Sequence, residues 1–121
     1  QQLAIAHPPV IYSDDTIEYV EKLCQTAELI ISSNTMFISG HTLSVCLERR
    51  GIYRFICEAI YSDILGVAKP NAKMYRKSDY HIGDNLVTDG IGASNAGSTP
   101  IIINSNNKTI ADAYNIIVQG R

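Results

Sequence analysis

With 121 residues, 45% of them apolar, and a formal net charge of −2, the chain is long enough for one core but not for a large cap or second lobe. Its near-neutral balance excludes a partner held by clustered Lys and Arg, so nucleic acid is not expected to bind. Cys24, Cys46 and Cys57 are odd in number and widely spaced, which suggests neither a disulfide framework nor a CxxC metal site but reduced core thiols in a cytoplasmic protein.

The opening, QQLAIAHPPV, has neither an initiator Met nor the basic head of a signal peptide, and residues upstream of Gln1 are expected. Within it, residues 3–6 form a short apolar run stopped by Pro8-Pro9, as a short strand would be. No run in the chain approaches the roughly eighteen apolar residues of a membrane span, so no membrane partner is expected. Ser13, Asp14 and Asp15 then precede Ile17, Val20, Cys24 and Ala27, an apolar face at helical spacing with acids at the positive end of the dipole. Residues 29–31 are a continuous apolar run of the kind found in parallel strands buried on both faces, ending in Ser32-Ser33-Asn34-Thr35. A hydroxyl and backbone N–H groups at such a strand end can hold a phosphate oxygen, although the same residues also suit a plain turn.

Residues 42–50 read as a helix with Leu43, Cys46 and Leu47 inward, Arg49 and Arg50 near its end and Gly51 as the stop. A strand interrupted by Glu58 follows within residues 55–61. Residues 62–69 read as a loop ending at Lys69-Pro70, with Pro70 at the first position of a short helix over residues 71–77. Lys69 at that helix's amino end is placed to supply a fixed positive charge beside a phosphate; its alternative is a solvated surface lysine.

The densest stretch is DYHIGDNLVTDGIGASNAGSTPIIIN, residues 79–104. Strands over residues 80–82 and 101–103, with a helix over residues 88–96, make a βαβ crossover. Gly83 permits a sharp turn as the first strand ends, so Asp84 and Asn85 fall at its carboxyl edge, where open α/β sheets keep their ligands. Asp89 follows at the start of the helix. Two carboxylates returned to one rim suit a hard cation such as Mg²⁺, and equally suit caps of a turn and a helix. Gly90, Ala93 and Gly97 leave a nearly bare face that lets the helix lie close to the sheet. A closing helix over residues 106–118 presents Ile110, Tyr114, Ile117 and Val118 on one face. The alternation predicts an α/β fold: a three-layer Rossmann-like parallel sheet with helices on both faces, in a single domain over residues 1–121.

Ser33, Lys69 and the Asp84/Asp89 pair, in that order, resemble the carboxyl-terminal core of haloacid dehalogenase-like hydrolases, most of which are phosphatases. The family's second motif is similar to LIISSN, with Ser33 in the motif position and Asn34 after it. Its third looks like GVAKPNAKMY, placing the motif lysine at Lys69, and its fourth looks like IGDNLVTDGIGASNAG. The resemblance covers roughly residues 8–104. It implies an aspartate nucleophile that attacks the phosphorus of a phosphorylated small molecule, a second aspartate two residues later as general acid and base, and Mg²⁺ bridging nucleophile and phosphate. In that scheme Ser33, with Asn34 beside it, binds the phosphoryl group, Lys69 offsets negative charge, and Asp84 and Asp89 hold the metal.

The family's first motif, a strand followed by Asp-x-Asp-x-Thr or Val, occurs nowhere in the chain. The acids of Asp14-Asp15-Thr16 are adjacent and too close in sequence to Ser33 to serve. PPVIYSDDTIEYVEKL instead resembles the return into the core after a cap in longer members, so the chain is expected to be a carboxyl-terminal piece without a cap. Its missing strand is the central one, between those carrying Ser33 and Asp84. An empty central slot would leave a row of buried backbone groups unpaired. Residues 3–6 are the spare strand that could fill it, which would set His7 near the nucleophile's place. The isolated chain is therefore expected to be inactive as a phosphatase. The rival reading is a non-catalytic binding or assembly module on the same sheet. A response-regulator receiver shares the acidic pair, the hydroxyl and the Lys-Pro, but there one helix follows the Lys-Pro, whereas here Lys69-Pro70 precedes the GDN strand and a further βα unit.

Overall fold

Apolar runs of Leu and Ile become central strands because docking of their neighbours covers both faces at once. The computed structural model describes residues 2–5, 16–35, 39–75 and 79–120. Strands β1 (Gln2–Ile5), β2 (Glu28–Ser33), β3 (Ile56–Tyr61), β4 (Tyr80–Gly83) and β5 (Thr99–Ile102) pair in the order β3-β2-β1-β4-β5. All four pairings are parallel. The spare strand does fill the central slot: Leu3 lies in register with Leu29 and Tyr80, and Ile5 with Ile31 and Ile82. His7, the proline pair and the Asp14-Asp15 pair lie outside the described residues.

Helices α1 (Thr16–Thr26), α2 (Gly40–Arg49) and α5 (Ile110–Gln119) join one face of the sheet. Val20 and Leu23 of α1 and Ile110, Ala113 and Ile117 of α5 pack with Leu29, Ile31, Ile82 and Ile101. The i, i+3, i+7 spacing on α5 is what a helix needs to present one stripe to a core, and its start is fixed by a capping box between Thr109 and Asp112. Because successive strand residues point to opposite faces, Ile30 goes to the other side. There it meets Ile60, Met74, Tyr75 and Ala93, the last on the one-turn helix α4 (Gly92–Asn95). Leu29, Ile30 and Ile31 are each at most 1% exposed. At about 1.5–3 kcal/mol per side chain, β2 is an anchor of both cores.

Several expected elements shift. The helix foreseen over residues 88–96 begins earlier, as a single π-helical turn at Leu86–Ile91, and only then tightens into α4. Of its small residues, Gly90 and Ala93 are buried while Gly97 is exposed past the helix end. The helix expected after Pro70 is reduced to one 3-10 turn, Ala72–Met74, with Tyr75 extended; Asn71 caps it by accepting from Lys73 N at 2.9 Å, so Pro70 lies before the first helical position and not at it. The loop after β3 opens with a short helix, α3 (Ser62–Leu65). Of the cysteines, Cys24 is half-buried against the core, whereas Cys46 and Cys57 are exposed and are not core thiols. Cys57 and Glu58 sit on β3, an edge strand in the described sheet, which explains how the strand tolerates a charge. Among the described residues no helix is long and apolar enough to cross a membrane.

Candidate functional site

Parallel strands all end at the same rim, so side chains at their carboxyl ends are brought together by topology alone. β2 ends at Ser33, β4 ends at Gly83 with Asp84 next, and β1 runs between them. Lys69 arrives from the loop beyond α3. Its backbone is clamped by the Asn34 amide, whose Oδ1 accepts from Lys69 N at 2.7 Å and whose Nδ2 donates to Lys69 O at 3.3 Å. Thus clamped, Lys69 turns inward and is 5% exposed. Its Nζ donates to Ser32 O at 3.3 Å and to Asp89 Oδ1 at 3.0 Å.

Asp89 reaches this pair because the π turn folds back on the end of β4. Asn85 starts the turn, its Oδ1 accepting from Val87 N at 2.9 Å and Thr88 N at 3.0 Å. Asn85 N in turn donates to Asp89 Oδ2 at 3.0 Å. The carboxyl lies so close to Gly83 that any Cβ there would overlap it. This contact gives the glycine of the GDN turn a second reason beyond its freedom to bend. Asp89 is 0% exposed, and His81 from β4 stands on it with Nε2 3.1 Å from Oδ1.

The Lys69–Asp89 pair therefore ties the ends of β2 and β4, the two strands that flank β1. Burial opposes both charges. It would raise the Asp89 carboxyl, but the hydrogen bond from His81, the charge and hydrogen bond of Lys69 and the N–H of Asn85 outweigh it and hold the group at about 2. Burial lowers the Lys69 ammonium, partly offset by Asp89 and by the charge of Asp84. Tyr75 closes the back of the cluster. Its hydroxyl donates to Thr88 O at 2.5 Å and its ring tilts against His81 with centroids 5.4 Å apart. Burial, with the nearby Asp89 charge, pushes its phenol up to about 12.

The residues named from sequence are thus brought to one rim, but not in equivalent positions. Ser33 is 3% exposed at the end of β2. Its neighbour Ser32 points the other way and donates to Met74 O at 2.6 Å. Asn34 spends its amide on Lys69. Asp84 is half-buried at the rim, and both oxygens of Asp89 are taken by protein donors. Among the described residues no three of His, Cys, Asp and Glu stand close enough to enclose a metal ion. Sequence reasoning missed His81 and Tyr75. The available signal was a histidine inside the strand run YHIG, since a polar ring buried in a sheet requires a partner.

A crystal structure of YfnB from Bacillus subtilis, described as a HAD-hydrolase bound to magnesium, superposes with a TM-score of 0.74 over 87% of this chain and 55% of that one, at 21% identity. The chain has the haloacid dehalogenase-like core fold. The same core superposes with a TM-score of 0.74 on an uncharacterized protein from Listeria monocytogenes serotype 4b, at 16% identity, covering 98% of this chain and 97% of that one. A glyceraldehyde 3-phosphate phosphatase from Methanothermobacter thermautotrophicus is 32% identical over 69 residues, 49% of this chain and 30% of the relative. The chain therefore spans under a third of that curated relative and about half of YfnB. No protein-family model matches it.

Proposed function

We propose that the chain is the core of a haloacid dehalogenase-like phosphohydrolase, one domain that binds the phosphoryl group of a small molecule at the carboxyl rim of its sheet. The observation that carries this is the buried Lys69–Asp89 pair, 3.0 Å apart, set across the ends of the strands that flank β1. Phosphoryl transfer rests on positioning and charge stabilisation. A lysine held by a carboxylate, a backbone carbonyl and an amide clamp is preorganised for that work. In this reading Ser33 donates to a phosphate oxygen, Asn34 holds Lys69 in place beside it, and Lys69 offsets the negative charge.

The donor set fits Mg²⁺ in part. Mg²⁺ is commonly held by one or two carboxylates with waters and substrate phosphate, and Asp84 at the rim suits that role. Asp89, with both oxygens occupied, suits a supporting one. When bound, the ion supplies charge neutralisation at the phosphate. The free thiols fit a cytoplasmic location.

The isolated chain lacks an Asp-x-Asp nucleophile motif, and none of Ser33, Lys69, Asp84 or Asp89 replaces a carboxylate nucleophile with its partner acid. We expect no hydrolysis of p-nitrophenyl phosphate above an Asp84→Asn control, with or without Mg²⁺. Turnover that vanishes in both Asp84→Asn and His7→Ala would show that the nucleophile lies within the chain. A non-catalytic binding or assembly module is the alternative for the isolated domain, and it predicts ligand binding at the same rim without turnover.

A further inference from the structure

We infer that His81 is a positioning residue: its Nε2–H anchors Asp89 and thereby fixes the Lys69 ammonium at the carboxyl rim. The inference rests on the reading of that rim as a phosphate site. It begins with donors and acceptors. An ionised carboxylate only accepts hydrogen bonds, so the 3.1 Å approach of Nε2 to Asp89 Oδ1 requires the proton on Nε2.

Three elements then converge on one side chain. The loop before the Ala72–Met74 turn supplies Lys69 Nζ at 3.0 Å, β4 supplies His81 Nε2 at 3.1 Å, and the π turn supplies Asn85 N at 3.0 Å. Oδ1 is shared by the first two and Oδ2 takes the third, so the carboxylate plane is set by donors on both sides. Both His81 and Asp89 are at most 1% exposed, and water is not at hand to replace a lost donor. His81 is itself fixed, since it lies within the paired part of β4 and against the Tyr75 ring. Without the imidazole, Oδ1 keeps Lys69 Nζ and Oδ2 keeps Asn85 N, but the donor supplied by the rigid strand β4 is lost from Oδ1. The counterpart that holds the lysine at the rim is then less firmly fixed. Hydrogen-bonding partners that orient metal-binding side chains typically change metal affinity or activity by about 10- to 100-fold when removed, and the same scale is taken here.

Two substitutions separate the hydrogen bond from the volume. His81→Gln carries an amide N–H that reaches the place of Nε2, while His81→Leu fills the space without a donor. Orthophosphate with Mg²⁺ is titrated into the 121-residue chain and both variants, following the Ser33 and Gly83 amides and the ¹⁵N signal of the Lys69 ammonium. The expected result is affinity reduced about 10- to 100-fold in His81→Leu, most of it restored in His81→Gln, with the ammonium signal slow-exchanging in the wild type and glutamine variant and lost in the leucine variant. Equal affinity and an equal ammonium signal in all three would overturn the inference. If His81→Leu does not fold, imidazole ¹⁵N shifts of the wild type decide: a protonated Nε2 supports the anchor and an unprotonated Nε2 refutes it. A wild type blind to phosphate would overturn the site reading, yet the ammonium and imidazole signals would still report on His81 by themselves.

Discussion

Replacing Asp89 by asparagine keeps the shape of a fully buried side chain and removes its charge. Lys69, 5% exposed, would then be a buried ammonium whose carboxylate partner at 3.0 Å has become an amide. Breaking a buried pair from one side costs about 3–5 kcal/mol. A domain of this kind has roughly 5–15 kcal/mol in all, so Asp89→Asn is expected to lose about a fifth of its stability or more. For a chain of this size that corresponds to a fall in Tm of about 10–20 °C. Urea unfolding followed by circular dichroism at pH 7 measures it. The double variant Lys69→Met with Asp89→Asn should lose less than Asp89→Asn alone, because no charge is left unpaired.

The pH dependence provides a second arm. The folded carboxyl is held at about 2, below its unfolded value near 3.9. Its contribution is therefore present above the unfolded value and is lost as pH falls through the window from about 5 to 2, amounting to about 2 kcal/mol. That slope should be missing from Asp89→Asn. A loss below about 1 kcal/mol at pH 7, or strict additivity in the double variant, would refute the buried-pair argument.

Gly83→Ala should destabilise the chain by about 1–3 kcal/mol, because its Cβ would overlap the Asp89 carboxyl; a thermal melt unchanged from wild type would contradict the close approach. Asn34→Ala removes both bonds to the Lys69 backbone, each worth about 1 kcal/mol, and should weaken orthophosphate binding while leaving the chain folded. Tyr75→Phe loses the bond to Thr88 O, about 1 kcal/mol in urea unfolding, and should remove one late-ionising phenol from an ultraviolet titration.

Those residues also show where sequence was enough. LII and III are continuous apolar runs, and such runs announce strands buried on both faces. Motif order fixed which strands flank the central slot, and residues 3–6 were the remaining run able to enter it. Lys69 and Asp89 were found as a lysine and a carboxylate, but not as partners, since their contact depends on a turn whose winding is set by Asn85 and by the absence of a Cβ at Gly83. Pro70 suggested a helix start, yet the chain needs only one 3-10 turn to bring Met74 and Tyr75 onto the sheet. His81 stayed hidden because strand periodicity reports which face a residue takes, not what it meets there.

Binding of phosphate with Mg²⁺ at the carboxyl rim would be read in the amide shifts that follow when both are added to the isolated chain. Ser33, Lys69 and the residues from Gly83 to Gly90 are expected to move first, with weak affinity because a shell without the nucleophile carboxylate lacks one hard ligand. Shifts confined to Asp14 and Asp15, or to the opposite edge of the sheet, would contradict it.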